Sequence, residues 1–128
     1  MKVAIITDQH FGARKSSRIF HDFFKKFYRN VFFPTLKERG IKTVLDLGDT
    51  FDNRRNLDIW AAQWATHNYF DVLKDMGVEV HALVGNHTAY FKNTNLVNTL
   101  VTTVGEYDNV TIYTKATEVE IGLSLIHI

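Results

Sequence analysis

Three short apolar runs, each closed by polar residues and the first two followed by a stretch of helical periodicity, constrain this chain more than any other feature. Val3 to Ile6 stops at Thr7, Asp8 and His10; Ile41 to Leu47 runs into Gly48, Asp49, Thr50, Phe51 and Asp52; Val78 to Val84 ends at Gly85, Asn86 and His87. Apolar runs of that length read as buried strands. Strands that alternate with helices build a parallel sheet whose carboxyl ends lie along one edge. The three polar clusters are therefore expected to converge.

Between the first two runs, from Ser16 to Arg39, the apolar residues Ile19, Phe20, Phe23, Phe24, Phe27, Val31 and Phe32 recur at spacings of three and four. That pattern predicts a helix with an unusually aromatic face, which we expect to be core. Pro34 has no N–H to give to the carbonyl of Asn30, so a kink or break is expected there, with a short turn of helix ending at Gly40. A second helix is predicted from Leu57 to Met76, with Ile59, Trp60, Trp64, Tyr69, Phe70, Val72 and Leu73 as buried positions and Gly77 as its stop. Beyond the third strand, Asn95 to Val104 suggests a short helix, and Val110 to Tyr113, Val119 to Ile121 and Leu123 to Ile128 read as further strands.

Composition narrows the chemistry. The 128 residues have room for one domain or part of one, and at 45% apolar residues they can bury a core. There is no cysteine, which excludes disulfides, thiolate-bound zinc, iron–sulfur clusters and thiol catalysis, so any metal must sit on imidazole and oxygen ligands. With 15 Lys+Arg against 14 Asp+Glu the overall charge neither requires nor excludes a nucleic-acid partner. No apolar run approaches the 18 or so residues of a membrane span, and MKVAIITDQH turns polar too soon for a signal peptide. A soluble, cytoplasmic setting is expected.

The clusters carry ligand chemistry. Asp8 and His10 are two apart, so on an extended segment they would share a side as an oxygen and a nitrogen donor for one divalent ion. Asp49 follows Gly48 and has two oxygens with which to bridge two ions. Asn86 can offer a carbonyl oxygen, while His87 beside it can protonate a leaving alkoxide. Singly, each is also what a water-facing strand end looks like. Together, D-x-H, G-D-x-x-D and G-N-H, each closing an apolar run, are far less expected by chance. Gly12 to Ser17, GARKSS, has neither the spacing nor the ending of a phosphate-binding P-loop.

At these motifs the chain resembles the calcineurin-like metallophosphoesterases, and within them the nuclease subunits of DNA double-strand-break repair complexes, including those of T-even-like bacteriophages. The likeness is carried by TDQHFG at Thr7 to Gly12, LGDTFDNRR from Leu47 to Arg55 and VGNHTAYFKNT from Val84 to Thr94. The resemblance implies a four-layer αββα sandwich of which this chain holds the N-terminal half, residues 1–121, with 122–128 a truncated terminus whose LSLIHI ending looks non-native. It implies two divalent ions, manganese with magnesium as the alternative. Asp8 and His10 would be ligands of the first, Asp49 the bridging carboxylate, Asn86 a ligand of the second, and His87 the catalytic histidine at the phosphate. Asp52 would support the site and Arg54 lie on the substrate side, although the first could equally cap a helix or pair with Arg55, and the second be an ordinary solvated charge.

The implied reaction is hydrolysis of DNA phosphodiesters in repair and recombination, exonucleolytic or endonucleolytic, in a complex with a coiled-coil ATPase. Self-association would run through the N-terminal helices, with Leu57 to Gly77 the candidate and plain core packing its alternative. Exposure of Trp60 or Trp64 would favour the interface. Two departures stand out. Thr88 follows the G-N-H where the family has aspartate, so a carboxylate that orients His87 must come from elsewhere. His21, His67, His81 and His127 do not carry the family's later metal-binding motifs and read as packing or surface residues, so the chain by itself is expected to be inactive. A phosphomonoesterase with the same metal chemistry and a non-catalytic binding module are the competing readings.

Overall fold

The computed structural model describes residues 2–13, 17–48, 50, 59–83, 107–113, 118–121 and 124–127. Strand β1 (Ala4–Ile6) is followed by a helical stretch made of α1 (Arg18–Phe27), a π-helical turn (Tyr28–Phe32) and α2 (Phe33–Glu38), then by β2 (Thr43–Asp46). A second stretch of the same build, α3 (Ile59–Ala65), a π-helical turn (Thr66–Phe70) and α4 (Asp71–Asp75), leads to β3 (Glu79–Leu83), and β4 (Val110–Tyr113) completes the sheet. The four strands are parallel in the order β1-β2-β3-β4. An antiparallel pair, β5 (Glu118–Ile121) and β6 (Ser124–His127), forms a separate two-stranded sheet. The expected α/β architecture with a parallel sheet is borne out; the helix expected at Asn95 to Val104 lies outside the described residues.

Register explains which side chains meet. Ala4, Val44, Val80 and Val110 share one row and Ile6, Asp46, Ala82 and Ile112 the next. Apart from Asp46 these rows are apolar, and Ala4, Ile6, Val44, Val80, Val110 and Ile112 pack with Tyr28, Phe33, Leu36, Tyr69, Phe70 and Leu73 of the helices. Burial of each such large side chain contributes about 1.5–3 kcal/mol.

Both helical stretches leave through the same turn. Ile41 N–H donates to the Leu36 carbonyl at 2.8 Å and Gly40 N–H to that of Lys37 at 3.2 Å. The second exit repeats this with Val78 to Leu73 at 2.9 Å and Gly77 to Lys74 at 3.0 Å. These are paired 6→1 and 5→2 bonds around a left-handed residue, and glycine fills it at φ +64° in Gly40 and +70° in Gly77. Both predicted stops are therefore real, and each turn folds a buried pair, Leu36 with Ile41 and Leu73 with Val78, onto the sheet.

Two expectations are corrected. Pro34 does not break the helical stretch, which runs on through it to Glu38. It follows a π-helical turn in which Phe33 N–H reaches back to the Tyr28 carbonyl, and it occupies the first turn of α2, where a missing N–H costs little. The aromatic face is also not all core. Ile19 and Phe23 are 75% and 63% exposed, with Phe27 and Val31 exposed beside them, while Phe20, Phe24 and Phe32 are half-buried. The helix turns inward the side that carries His21, Tyr28, Phe33 and Leu36, because the first two have hydrogen-bond partners inside. In the second stretch Tyr69, Phe70 and Leu73 are buried as expected, Trp60, Trp64 and Val72 are half-buried, and Ile59 is exposed. The alanines Ala61 and Ala65 complete its inner side.

Candidate metal-binding site

The carboxyl end of β1 carries the described part of the candidate site. Leu47 N–H donates to the Ile6 carbonyl at 2.9 Å and Asp8 N–H to the Gly48 carbonyl at 3.1 Å, so the chains of β1 and β2 stay side by side past the end of regular pairing. Further on, Phe11 N–H donates to the Thr50 carbonyl at 2.8 Å. A β-carbon placed on Gly48, whose φ is +117°, would lie 3.6 Å from the Leu83 carbonyl oxygen at the end of β3. The described ends of β1, β2 and β3 thus converge as the alternating pattern predicts. Asp49, Asp52, Arg54, Asn86 and His87 lie outside the described residues, as does Thr88.

Asp8 and His10 do come together, but not as an extended pair. A strand rises about 3.3 Å per residue, which would set alternate residues nearly 7 Å apart. Here both residues are in the left-handed region, at φ 56° and 51°. The tightened backbone brings Asp8 Oδ1 to 3.5 Å from His10 Nε2, with the side chains 58% and 38% exposed. Two donors about 2.0–2.2 Å from one ion are separated by roughly 3.0–3.4 Å, so the observed spacing fits a shared divalent ion with little movement. Thr7 Oγ1 donates to the other Asp8 oxygen at 3.1 Å, which holds that carboxylate edge and leaves Oδ1 toward the histidine. Among the described residues no third carboxylate or imidazole joins them.

Left-handed conformation in non-glycine residues costs on the order of 1–2 kcal/mol each, and the surrounding contacts show how this is offset. Gln9, between the two, points inward and is 6% exposed. Its Nε2 donates to Asp46 Oδ2 at 2.6 Å and its Oε1 accepts from the Tyr28 hydroxyl. Phe11 is fully buried against Phe24, Tyr28, Trp64 and Tyr69. Gly12 N–H donates to His21 Nε2 at 2.9 Å, while His21 Nδ1 lies 2.7 Å from the Ser17 carbonyl. The second contact requires a proton on Nδ1 and the first a lone pair on Nε2, so His21 is the neutral tautomer and acts as a buried peg. A packing role for His21 is what its place in the sequence suggested.

Asp46, which reads in the sequence only as an interruption of an apolar run, is the residue that sequence reasoning missed. It is 0% exposed. Its Oδ1 accepts from Thr50 Oγ1 at 3.2 Å and from Gly48 N–H at 3.4 Å, and Oδ2 accepts from Gln9 and, at 3.5 Å, from the Tyr69 hydroxyl. Burial pushes its carboxyl up to about 7, against the opposing pull of the Gly48, Thr50, Gln9 and Tyr69 hydrogen bonds. The same burial, with the Asp46 charge nearby, raises both Tyr28 and Tyr69 above the usual phenol range. These phenols stay protonated and donate. A signal was present, since a carboxylate at an inward strand position has to find partners, but the side chains of Gln9 and Tyr69 lie 37 and 23 residues away.

Two of the other histidines, His67 and His81, have described surroundings. His67 is exposed on the second π-helical turn, 3.5 Å from Asp71. His81 is buried on β3, between Glu79 at 3.0 Å and the Tyr113 hydroxyl at 2.7 Å. Trp60 and Trp64 are half-buried and face His21 of α1, at ring separations of 5.0 and 5.1 Å. No helix among the described residues is long and apolar enough to cross a membrane.

The family described as calcineurin-like phosphoesterase matches residues 1–127. Exonuclease subunit 1 of Enterobacteria phage T4 is 33% identical over 90 residues, 70% of this chain and 26% of that protein. The aligned region thus spans about a quarter of that relative's length.

Proposed function

Because the chain belongs to the calcineurin-like phosphoesterase family, whose members use divalent metals, we propose that it is part of a metal-dependent nuclease that hydrolyses DNA phosphodiester bonds in repair and recombination. The observation that carries this is the 3.5 Å approach of Asp8 to His10 at the carboxyl end of β1, beside the backbone that leads to Asp49. The T4 relative, described as an exonuclease subunit, supports DNA as the substrate. It also supports a multisubunit setting, for which we propose a coiled-coil ATPase partner, self-association, and the cytoplasm of the host cell if phage-encoded.

Asp8 and His10 would hold one ion, Asp49 would bridge to a second, and Asn86 would complete the second from this chain. The ions, proposed as Mn²⁺ with Mg²⁺ as the alternative, supply charge neutralisation at the phosphate and lower the pKa of the attacking water. His10 would bind through a ring nitrogen, and Asp8 through the carboxylate oxygen that Thr7 leaves free. His87 would deliver a proton to the departing 3′-oxygen, with Asp52 and Arg54 in supporting positions. His21 and His81 are committed to packing, so the remaining metal-binding histidines of the family are not supplied by them, and the 128-residue chain alone is proposed to be inactive.

The test is Mn²⁺-dependent cleavage of a labelled DNA duplex by the full-length protein, set against p-nitrophenyl phosphate. DNA cleavage is expected, with His87→Ala lowering it about 10²–10⁴-fold and Asp8→Ala abolishing it. Turnover of only the small ester would replace the nuclease reading with a phosphomonoesterase. Full activity in Asp8→Ala would remove the site.

A further inference from the structure

We propose that Gln9 and Asp46 are positioning residues for the ligand pair: the Gln9 carboxamide, clamped between the Asp46 carboxyl and the Tyr28 hydroxyl, holds Asp8 and His10 in the left-handed backbone that makes their side chains converge. The inference rests on the reading of Asp8 and His10 as ligands. It concerns the residue between them, which that reading leaves unused.

Nothing in Asp8 or His10 themselves dictates positive φ. Asp and His tolerate it better than most side chains, yet an unconstrained segment would relax to extended or right-handed angles. What differs here is the intervening residue. Gln9 has both ends of its amide engaged inside the protein, Nε2 to Asp46 at 2.6 Å and Oε1 to Tyr28, and the amide can satisfy both only in this orientation. Asp46 is itself fixed by Thr50, Gly48 and Tyr69 and by its register opposite Ile6 of β1. A side chain anchored inward at position 9 leaves its neighbours directed outward, and both neighbours hold positive φ, 56° at Asp8 and 51° at His10.

The clamp also joins two ligand-bearing segments. Gln9 belongs to the segment that carries Asp8 and His10, and Asp46 sits three residues before Asp49 on β2. Their hydrogen bond therefore ties the end of β1 to the start of the loop after β2. Second-layer partners of metal ligands typically change metal affinity 10–100-fold when removed. That is the size of effect expected of a Gln9 or Asp46 change that leaves every ligand in place.

The experiment uses the 128-residue chain with two readouts. Backbone NMR of the metal-free chain reports φ at Asp8 and His10 through their amide-to-Hα couplings and carbon shifts. Titration with Mn²⁺ alone, followed by the EPR signal of the free ion, reports affinity. Gln9→Ala is expected to lose the left-handed signature at both residues and to bind Mn²⁺ about 10–100-fold more weakly, while the near-ultraviolet circular dichroism of the aromatic core stays native. The exchange Gln9→Glu with Asp46→Asn reverses the bond, since the new carboxylate accepts from both the new amide and Tyr28. It is expected to restore both readouts that Gln9→Glu alone loses.

An intact signature and unchanged affinity in Gln9→Ala would overturn the clamp. So would failure of the exchange to restore what the single change loses, and that comparison decides even if Gln9→Ala does not fold. Asp8→Ala separates the two readings: unchanged Mn²⁺ binding there sinks the ligand assignment, while the NMR signature still judges the clamp.

Discussion

Asp46 should give this fold a pH dependence opposite in sign to that of a salt-bridged surface carboxylate. Its carboxyl is shielded from water and raised from 3.8 to about 7 by burial. In the unfolded chain the group returns to its ordinary value. Between those values the folded state holds a proton that the unfolded state has released, so the native protein binds more protons and stability falls as pH rises. The contribution is fully present below about pH 4 and is lost as pH passes through 7. With each pKa unit worth about 1.4 kcal/mol, two-state linkage gives a loss of about 2–3 kcal/mol between pH 5 and pH 8 from this group alone.

Asp46→Asn isolates the effect, because the amide keeps the shape and cannot titrate. Urea unfolding of both proteins at pH 5 and pH 8, with a chelator present, measures it as a difference of differences in which other titrating groups cancel. The wild type should lose that 2–3 kcal/mol relative to the variant on going to pH 8. Parallel profiles would refute the reasoning. A wild type that gains on the variant with rising pH would show that the hydrogen bonds from Gln9, Thr50 and Gly48 outweigh desolvation and that the folded carboxyl is ionised throughout.

Two further outcomes follow from the fold. Gly77→Ala meets no atom within 4 Å but must adopt φ +70°, so chemical denaturation should show a loss of about 1 kcal/mol, and a neutral result would mean that the turn is not left-handed in solution. Phe23→Ser removes an apolar side chain that is 63% exposed. Thermal unfolding should move by less than the equivalent of about 0.5 kcal/mol, whereas a loss of several kcal/mol would place that side of α1 in the core.

Much of the architecture was legible because it rests on local chemistry. Apolar runs bounded by polar clusters mark β1, β2 and β3, and Gly40 and Gly77 mark helix exits whose geometry only a left-handed residue satisfies. What could not be read was the side of α1 that faces inward. Apolar residues surround much of that helix, and the choice was made by His21 and Tyr28, polar residues whose partners Gly12 and Gln9 come from another part of the chain. Asp46 was opaque for the same reason. At the site, the spacing of Asp8 and His10 suggested only that they share a side, while the left-handed backbone that brings them to 3.5 Å was not legible. It depends on Gln9, a residue whose type alone carries no ligand chemistry.

The π-helical turns Tyr28–Phe32 and Thr66–Phe70 make residue count, rather than hydropathy, the variable that orients each helix's last turn. A π-turn accommodates one residue more than the α-helical ladder would, and each residue advances the helix by about 100°. Leu36 and Leu73 reach the sheet only with that extra residue in place, and the glycine exits behind them aim the next strand from wherever they land. Two chains with the same apolar pattern but one residue fewer in either helix would present different faces to the sheet. In this fold a sequence can drift in composition along its helices far more freely than it can drift in length.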